Sequence, residues 1–130
     1  MRNIGTRQPP ERMRIMGSHR VERLNEDFKR EISDILPSMK DARINEMLSV
    51  IRAQVTSDLS YAKIYVSSLK GFEQAKEACA ALNAAQGYIK TSLAKRLRIR
   101  KIPNLSFIAD DSVDYYYRIQ GILEGEKHEH

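Results

Sequence analysis

The chain of 130 residues has no tryptophan, a single cysteine and only three histidines, and each scarcity removes a class of function. One cysteine builds no disulfide framework, which suits a reducing compartment. Cys79 stands in an alanine-rich run, where a thiol reads as a small buried side chain instead of a nucleophile or ligand. No apolar stretch approaches the roughly 18–20 residues that cross a bilayer, and the N-terminus lacks the apolar middle of a secretory signal. The expectation is a cytoplasmic protein with no membrane partner. His19, His128 and His130 lie near the chain ends, and no metal site is assigned to them. There is no Gly-rich phosphate loop, no nucleophile elbow and no histidine with acid/base company. The adjacent Asp110 and Asp111 read as a strand end and a helix cap, not as a metal-binding pair for hydrolysis. The chain is therefore expected not to be an enzyme.

What is present is an ordinary globular balance, 42% hydrophobic and 30% charged, with its charge unevenly spread. The formal net charge is +5. Residues 1–20 hold five arginines against one glutamate, residues 86–103 hold six Lys/Arg and no acid, and residues 110–130 are net acidic. Such asymmetry favours a polyanionic partner.

Hydrophobic spacing then organises the chain. Residues 1–17 contain Pro9-Pro10 and lack apolar periodicity, so they read as a disordered basic arm. From Ser18, a candidate N-cap, Val21, Leu24, Phe28, Ile32 and Ile35 recur at helical spacing up to Pro37. Residues 48–57, with Ile51, Ala53 and Val55 on one face, and residues 61–67, with Ala62, Ile64 and Val66 opposite Tyr61, Lys63 and Tyr65, form a hairpin. Tyr61 and Tyr65 read as packing under a helix. Beyond Gly71 a helix buries Ala75, Ala78, Cys79 and Leu82. After Gly87 a second helix carries Tyr88, Ile89, Leu93 and Leu97 and runs to Pro103. Leu105, Phe107 and Ala109 alternate as a third strand. A last helix, capped by Asp111-Ser112, turns Val113, Tyr116, Ile119 and Leu123 inward. The order αββααβα predicts an α+β sandwich: a three-stranded sheet with helices on one face.

The segment from Ala84 to Leu105 carries the candidate site. In a KH module two helices meet at a GXXG loop that clamps the backbone of a single strand. Here that junction reads Ala85-Gln86-Gly87, a kink one residue shorter. Gly87 has two readings: it avoids a collision with the sheet or a neighbouring helix, or it lets RNA approach the backbone. The following basic helix can neutralise phosphates, which positions a protein on RNA without reading its sequence. The candidate RNA-binding residues are Lys90, Lys95, Arg96, Arg98, Arg100 and Lys101, with Arg43 and Lys63 as outlying contacts.

RVERLNEDFKREISDIL in the first helix, VTSDLSYAKIYVS at the hairpin, ALNAAQGYIKTSLAKRLRIRKIPNLSF through the kink and third strand, and DDSVDYYYRI at the last helix together resemble the bacterial ribosome-binding factor A family. The resemblance runs from about His19 to Leu123. It implies a type II KH-like fold over residues 18–124, with Ala85-Gln86-Gly87 as the Ala-X-Gly kink that replaces GXXG, and a flexible tail at 125–130. It also implies a 30S assembly factor that acts late in maturation, promotes 16S rRNA 5′-end processing, supports growth in the cold and needs no cofactor. The expected partners are the 30S subunit and its 16S rRNA, with assembly GTPases as candidates, and the expected state is a monomer. Where the family has Asp-Pro-Arg after the first helix, this chain has Asp41-Ala42-Arg43. Where the last motif continues with Gly, it has Tyr116. A general single-stranded RNA chaperone and an adaptor for a ribosomal protein or GTPase are the alternatives.

Overall fold

The computed structural model describes the backbone of residues 11–128 and the side chains of residues 20–122. Helix α1 (Glu11–Ile35) leads through a short 3-10 turn (Leu36–Ser38) to strands β1 (Leu48–Val55) and β2 (Tyr61–Ser68). Helices α2 (Phe72–Ala84) and α3 (Gln86–Arg96) follow, then β3 (Asn104–Ala109) and α4 (Ser112–His128). This is the predicted order αββααβα. Helix α1 already spans Ser18, so that residue is not its N-cap. The expected boundaries after residues 17 and 124 fall inside α1 and α4. Residues 1–10 of the expected arm and the last two residues of the expected tail lie outside the described residues.

The sheet has the order β1-β2-β3, with β1 antiparallel and β3 parallel to β2. The hairpin supplies the first pairing. A parallel neighbour needs a crossover, and α2 and α3 provide it. One layer of apolar side chains joins helices to sheet: Phe28, Ile32 and Ile35 from α1, Leu82 from α2, Ile89 and Leu93 from α3, Ile64 and Val66 from β2, and Leu105 and Phe107 from β3. Burying each such side chain contributes about 1.5–3 kcal/mol. Ala75, Ala78 and Ala81 are also buried, and their small size lets α2 lie close to the sheet.

Three local expectations are corrected. Strict alternation would turn Ile51 inward, but the β1/β2 register shifts between Val50 and Arg52. The extra residue of this bulge leaves Val50, Ala53 and Val55 buried and Ile51 exposed. The bulge also sets Arg52 opposite Tyr65, with its guanidinium 4.3 Å from the ring centroid. Tyr65 is thus half-covered by a cation and Tyr61 is exposed; neither packs under a helix. Tyr116 is exposed with Tyr115 and Tyr117 on α4, because α4 touches the body mainly along β2.

Two positive-φ residues stand out. Gly71 (φ 111°) precedes α2, and a Cβ there would come within 3.3 Å of Asp114 Oδ1. That carboxylate accepts the Phe72 N–H at 2.9 Å, so α4 caps the start of α2. Asp111 precedes α4 as expected and its carbonyl accepts the Tyr115 N–H at 2.9 Å, but the side chain that receives the Ser112 N–H, at 2.9 Å, is that of Asp110 through Oδ2. The other residue is Leu59 (φ 61°) in the hairpin turn, the one non-glycine with positive φ among the described residues. The left-handed region costs an L-residue about 1–2 kcal/mol. Thr56 holds the turn: its Oγ1 accepts the N–H groups of Ser60 and Tyr61, both at 3.1 Å.

Candidate nucleic-acid interface

The α2–α3 junction is a kink of one non-helical residue. Ala85 (φ −96°, ψ 21°) closes α2 by donating its N–H to Ala81 and Leu82, and its carbonyl accepts the Ile89 N–H of α3. Side chains on either side fasten the kink to the edge of β3. Asn83 Oδ1 accepts the Phe107 N–H at 2.9 Å, and its Nδ2 donates to the Phe107 carbonyl at 3.1 Å. Gln86 Oε1 accepts the Leu105 N–H at 2.8 Å. The two amides act as a partner strand, satisfying backbone groups that an edge otherwise leaves open. Tyr88, just past the kink, shares a 2.7 Å hydrogen bond with Ser38 in the turn after α1. The kink is therefore located by contacts to β3 and to the turn after α1.

Gly87 is exposed, its φ is not positive, and an added Cβ would meet nothing within 4 Å. The collision reading for this glycine is overturned. Gly87→Ala is expected to raise unfolding stability by about 0.5–1 kcal/mol, since glycine in a helix is disfavoured by that amount. Urea denaturation checks this, and a loss of stability would show an obstruction that the geometry lacks.

Helix α3 ends at Arg96, with Leu97 extended (ψ 142°). Lys90, Lys95 and Arg96 lie on the helix, whereas Arg98, Arg100 and Lys101 lie on the extended connection to β3 instead of on a helix reaching Pro103. Lys90 Nζ donates to Asn104 Oδ1 at 3.1 Å. Asn104 pairs across the sheet with Tyr61 and shares a shallow depression with Tyr61 and Lys101. Lys63 follows two residues after Tyr61 on the same exposed face of β2. Lys90, Lys101 and Lys63 are thereby gathered around the β2/β3 end. Lys63, Lys95, Arg98, Arg100 and Lys101 have no acidic partner within ion-pair distance among the described residues.

Arg96 and Arg43 differ from these. Arg96 Nη1 pairs with Glu31 of α1 at 3.2 Å, so a phosphate at Arg96 competes with that carboxylate. Arg43 grips Asp41 twice, Nε to Oδ1 at 3.0 Å and Nη2 to Oδ2 at 2.8 Å, and its own N–H also donates to Oδ1 at 2.9 Å. Hydrogen bonds from the Arg43 side chain, then from its backbone N–H, lower the Asp41 pKa from 3.8 to about 2. The sign follows: a folded pKa below the unfolded value stabilises above the unfolded value, and the gain is lost as pH falls toward 2. Both groups are solvent-accessible, so the effect on folding is small. The Asp41 carboxyl carbon is expected to titrate near 2, and in Arg43→Gln, which keeps only the backbone N–H to Oδ1, at a higher pH, part of the way back to the ordinary value. An unperturbed midpoint in the wild-type protein would mean that the pair is not held in solution.

Sequence reasoning missed four participants. Asn83 gave no signal, because its partner is backbone 24 residues away. Glu31 was visible only as a helix-surface acid. Arg20 and Arg23, one turn apart on α1, line a cleft with Arg100, a meeting that depends on the path of the connection after α3. Cys79 is buried and its thiol is pushed up to about 11 by desolvation, so it is neutral near pH 7. Among the described residues there is no metal-binding cluster of His, Cys, Asp and Glu, and no helix long and apolar enough to cross a membrane.

Comparison with known proteins places this arrangement. The family model for ribosome-binding factor A matches residues 20–123. Ribosome-binding factor A of Carboxydothermus hydrogenoformans is 42% identical over 118 residues, covering 90% of this chain and 94% of the relative. That of Clostridium botulinum (strain Eklund 17B) is 40% identical over 114 residues, covering 86% and 98%. The crystal structure of the Thermus thermophilus factor superposes with a TM-score of 0.61 at 27% identity, over 68% of this chain and 93% of that one. The solution structure of a Thermotoga maritima protein described as a putative ribosome binding factor A gives 0.65 at 29% identity, over 73% and 91%. A Thermus thermophilus homology model fitted into a cryo-electron microscopy map of a 30S complex gives 0.54 at 27% identity, over 65% and 88%. The fold is the KH-like α+β fold of these structures, and the chain belongs to the ribosome-binding factor A family.

Proposed function

We propose that this protein is a non-catalytic 30S assembly factor, a cytoplasmic monomer that holds a late conformation of 16S rRNA through phosphate contacts. In this reading it aids 16S 5′-end maturation and growth in the cold, and leaves when the finished subunit no longer offers the surface. The observation that carries the reading is the set of exposed cations at the end of α3 and just beyond it, Lys95, Arg98 and Arg100, with no ion-pair partner among the described residues, while the backbone of Gly87 is open at the other end of the helix. Lysines and arginines without internal partners exchange condensed counterions for phosphates at little cost to the fold. The open space at Gly87 supports close approach of a sugar-phosphate backbone there, with Lys90 one turn further along α3. The 30S complex of a relative supports the choice of particle.

A second reading is an adaptor that docks on a ribosomal protein or an assembly GTPase. The exposed Tyr115, Tyr116, Tyr117 and Ile122 of α4 favour it, since aromatic side chains are enriched at protein interfaces. Co-sedimentation of the purified protein with 30S, 50S and 70S particles over a range of salt tests both. Selective pelleting with 30S that weakens steeply with salt is the expected result. Pelleting with 30S that ignores salt supports the adaptor, and indifferent or absent pelleting removes the assembly reading.

A further inference from the structure

The cleft that Arg20, Arg23 and Arg100 share lies apart from the kink, between α1, the hairpin turn and the connection after α3. Its volume is about 440 Å³, within the range of small-ligand sites. The floor is apolar: Val21, Leu24, Leu59 and Ile99 are half-buried, and the last three pack against the core. The rim is cationic. All three arginines are exposed, and none has an ion-pair partner among the described residues. Asp27 also lines the cleft, but its carboxylate accepts Arg30 Nη2 at 3.0 Å.

Leu59 adds an independent observation. It occupies the left-handed conformation that a turn normally assigns to glycine or asparagine. Thr56 locks it there: the Leu59 N–H donates to the Thr56 carbonyl at 2.9 Å, and Asp58 Oδ1 accepts the Ser60 N–H at 3.0 Å. A strained turn thus ends in an apolar side chain that forms part of the floor. Strain of this kind gathers at ligand sites.

An apolar floor under three arginines suits neither a bare polyanion nor an uncharged apolar ligand. It suits a group with a flat, poorly hydrated body and negative charge on both sides. We propose that this cleft receives an unstacked base of single-stranded RNA, the base resting on Leu24, Leu59 and Ile99 and its flanking phosphates meeting Arg20, Arg23 and Arg100. Bases splayed from single strands are taken up in this way, by contact with their faces and by cations along the backbone. The inference rests on the rRNA-binding reading and adds to it a second contact point that recognises a base.

The test is methyl and amide NMR of the full chain with two probes, a uridine decamer and an abasic RNA of equal length. The expected result is saturable movement of the Val21, Leu24, Leu59 and Ile99 methyl signals with the decamer, and none with the abasic strand. Leu59→Asn, which tolerates the turn conformation and makes the floor polar, is expected to weaken decamer binding at least about fivefold, in line with about 1–3 kcal/mol for each base held by its face, while its spectrum remains that of the folded chain. Equal movement with both probes would overturn the proposal. So would decamer-induced shifts confined to the amides of residues 87–97, an outcome that leaves the rRNA reading standing. Stronger movement with an acidic peptide than with the decamer would also overturn it, in favour of a protein ligand. Failure of the rRNA reading itself is read separately, in the sedimentation experiment.

Discussion

Replacing Asn83 by alanine is expected to destabilise the fold by about 2 kcal/mol. The side chain is exposed at its outer edge, yet its amide serves both the N–H and the carbonyl of Phe107. Truncation leaves both groups on a strand edge whose neighbouring side chains, Leu105 and Phe107, are core. Water reaches part of the gap, which keeps the cost below that of two fully buried orphans. Gln86→Ala removes one such bond and is expected to cost about half as much. The opened β3 edge is also expected to promote self-association at high concentration, because unpaired edges recruit other strands. Urea denaturation and light scattering check the two effects. A change below about 0.5 kcal/mol in Asn83→Ala would show that these amides do not close the edge.

The double substitution Lys95→Ala/Arg98→Ala carries the largest expected effect on binding. Neither residue has an ion-pair partner among the described residues, and both are exposed, so unfolding stability should stay within the usual surface range of about 0.5 kcal/mol. Affinity for 30S is expected to fall roughly tenfold or more near physiological salt, and the slope of log K against log salt to flatten by about 1–2, one for each lost phosphate contact. Arg96→Ala serves as a contrast. It breaks the pair with Glu31 at 3.2 Å, so part of its effect should appear as altered packing of α3 on α1. An unchanged affinity and slope in the double variant would move the RNA face away from the end of α3.

The two predictions differ in how far each was readable from the chain. The basic run from Lys90 to Lys101 is contiguous, so its charge and lack of acids are visible without a structure. Its division into helix and extended connection was not, because the residues from Leu97 onward keep a plausible helical spacing until Pro103. The interior of β1 failed in a similar way. The stretch LSVIRAQV alternates well enough to favour Ile51, and only pairing with β2 inserts the bulge that turns Val50 inward instead. Asn83 and Gln86 look like ordinary helix-surface amides until β3 lies beside them.

By itself the sequence determined the order of elements, the core faces of α1, α2 and β2, and the concentration of positive charge after the kink. Those depend on side-chain spacing along one segment, and helical and strand periodicity turn spacing directly into faces. Only the tertiary structure decided which cations are free and which are spent on Glu31 and Asp41, that Gly87 faces open space, and that Arg20, Arg23 and Arg100 share a cleft over Leu59. Each of these depends on distances between segments far apart in the chain, which packing sets and local spacing does not encode.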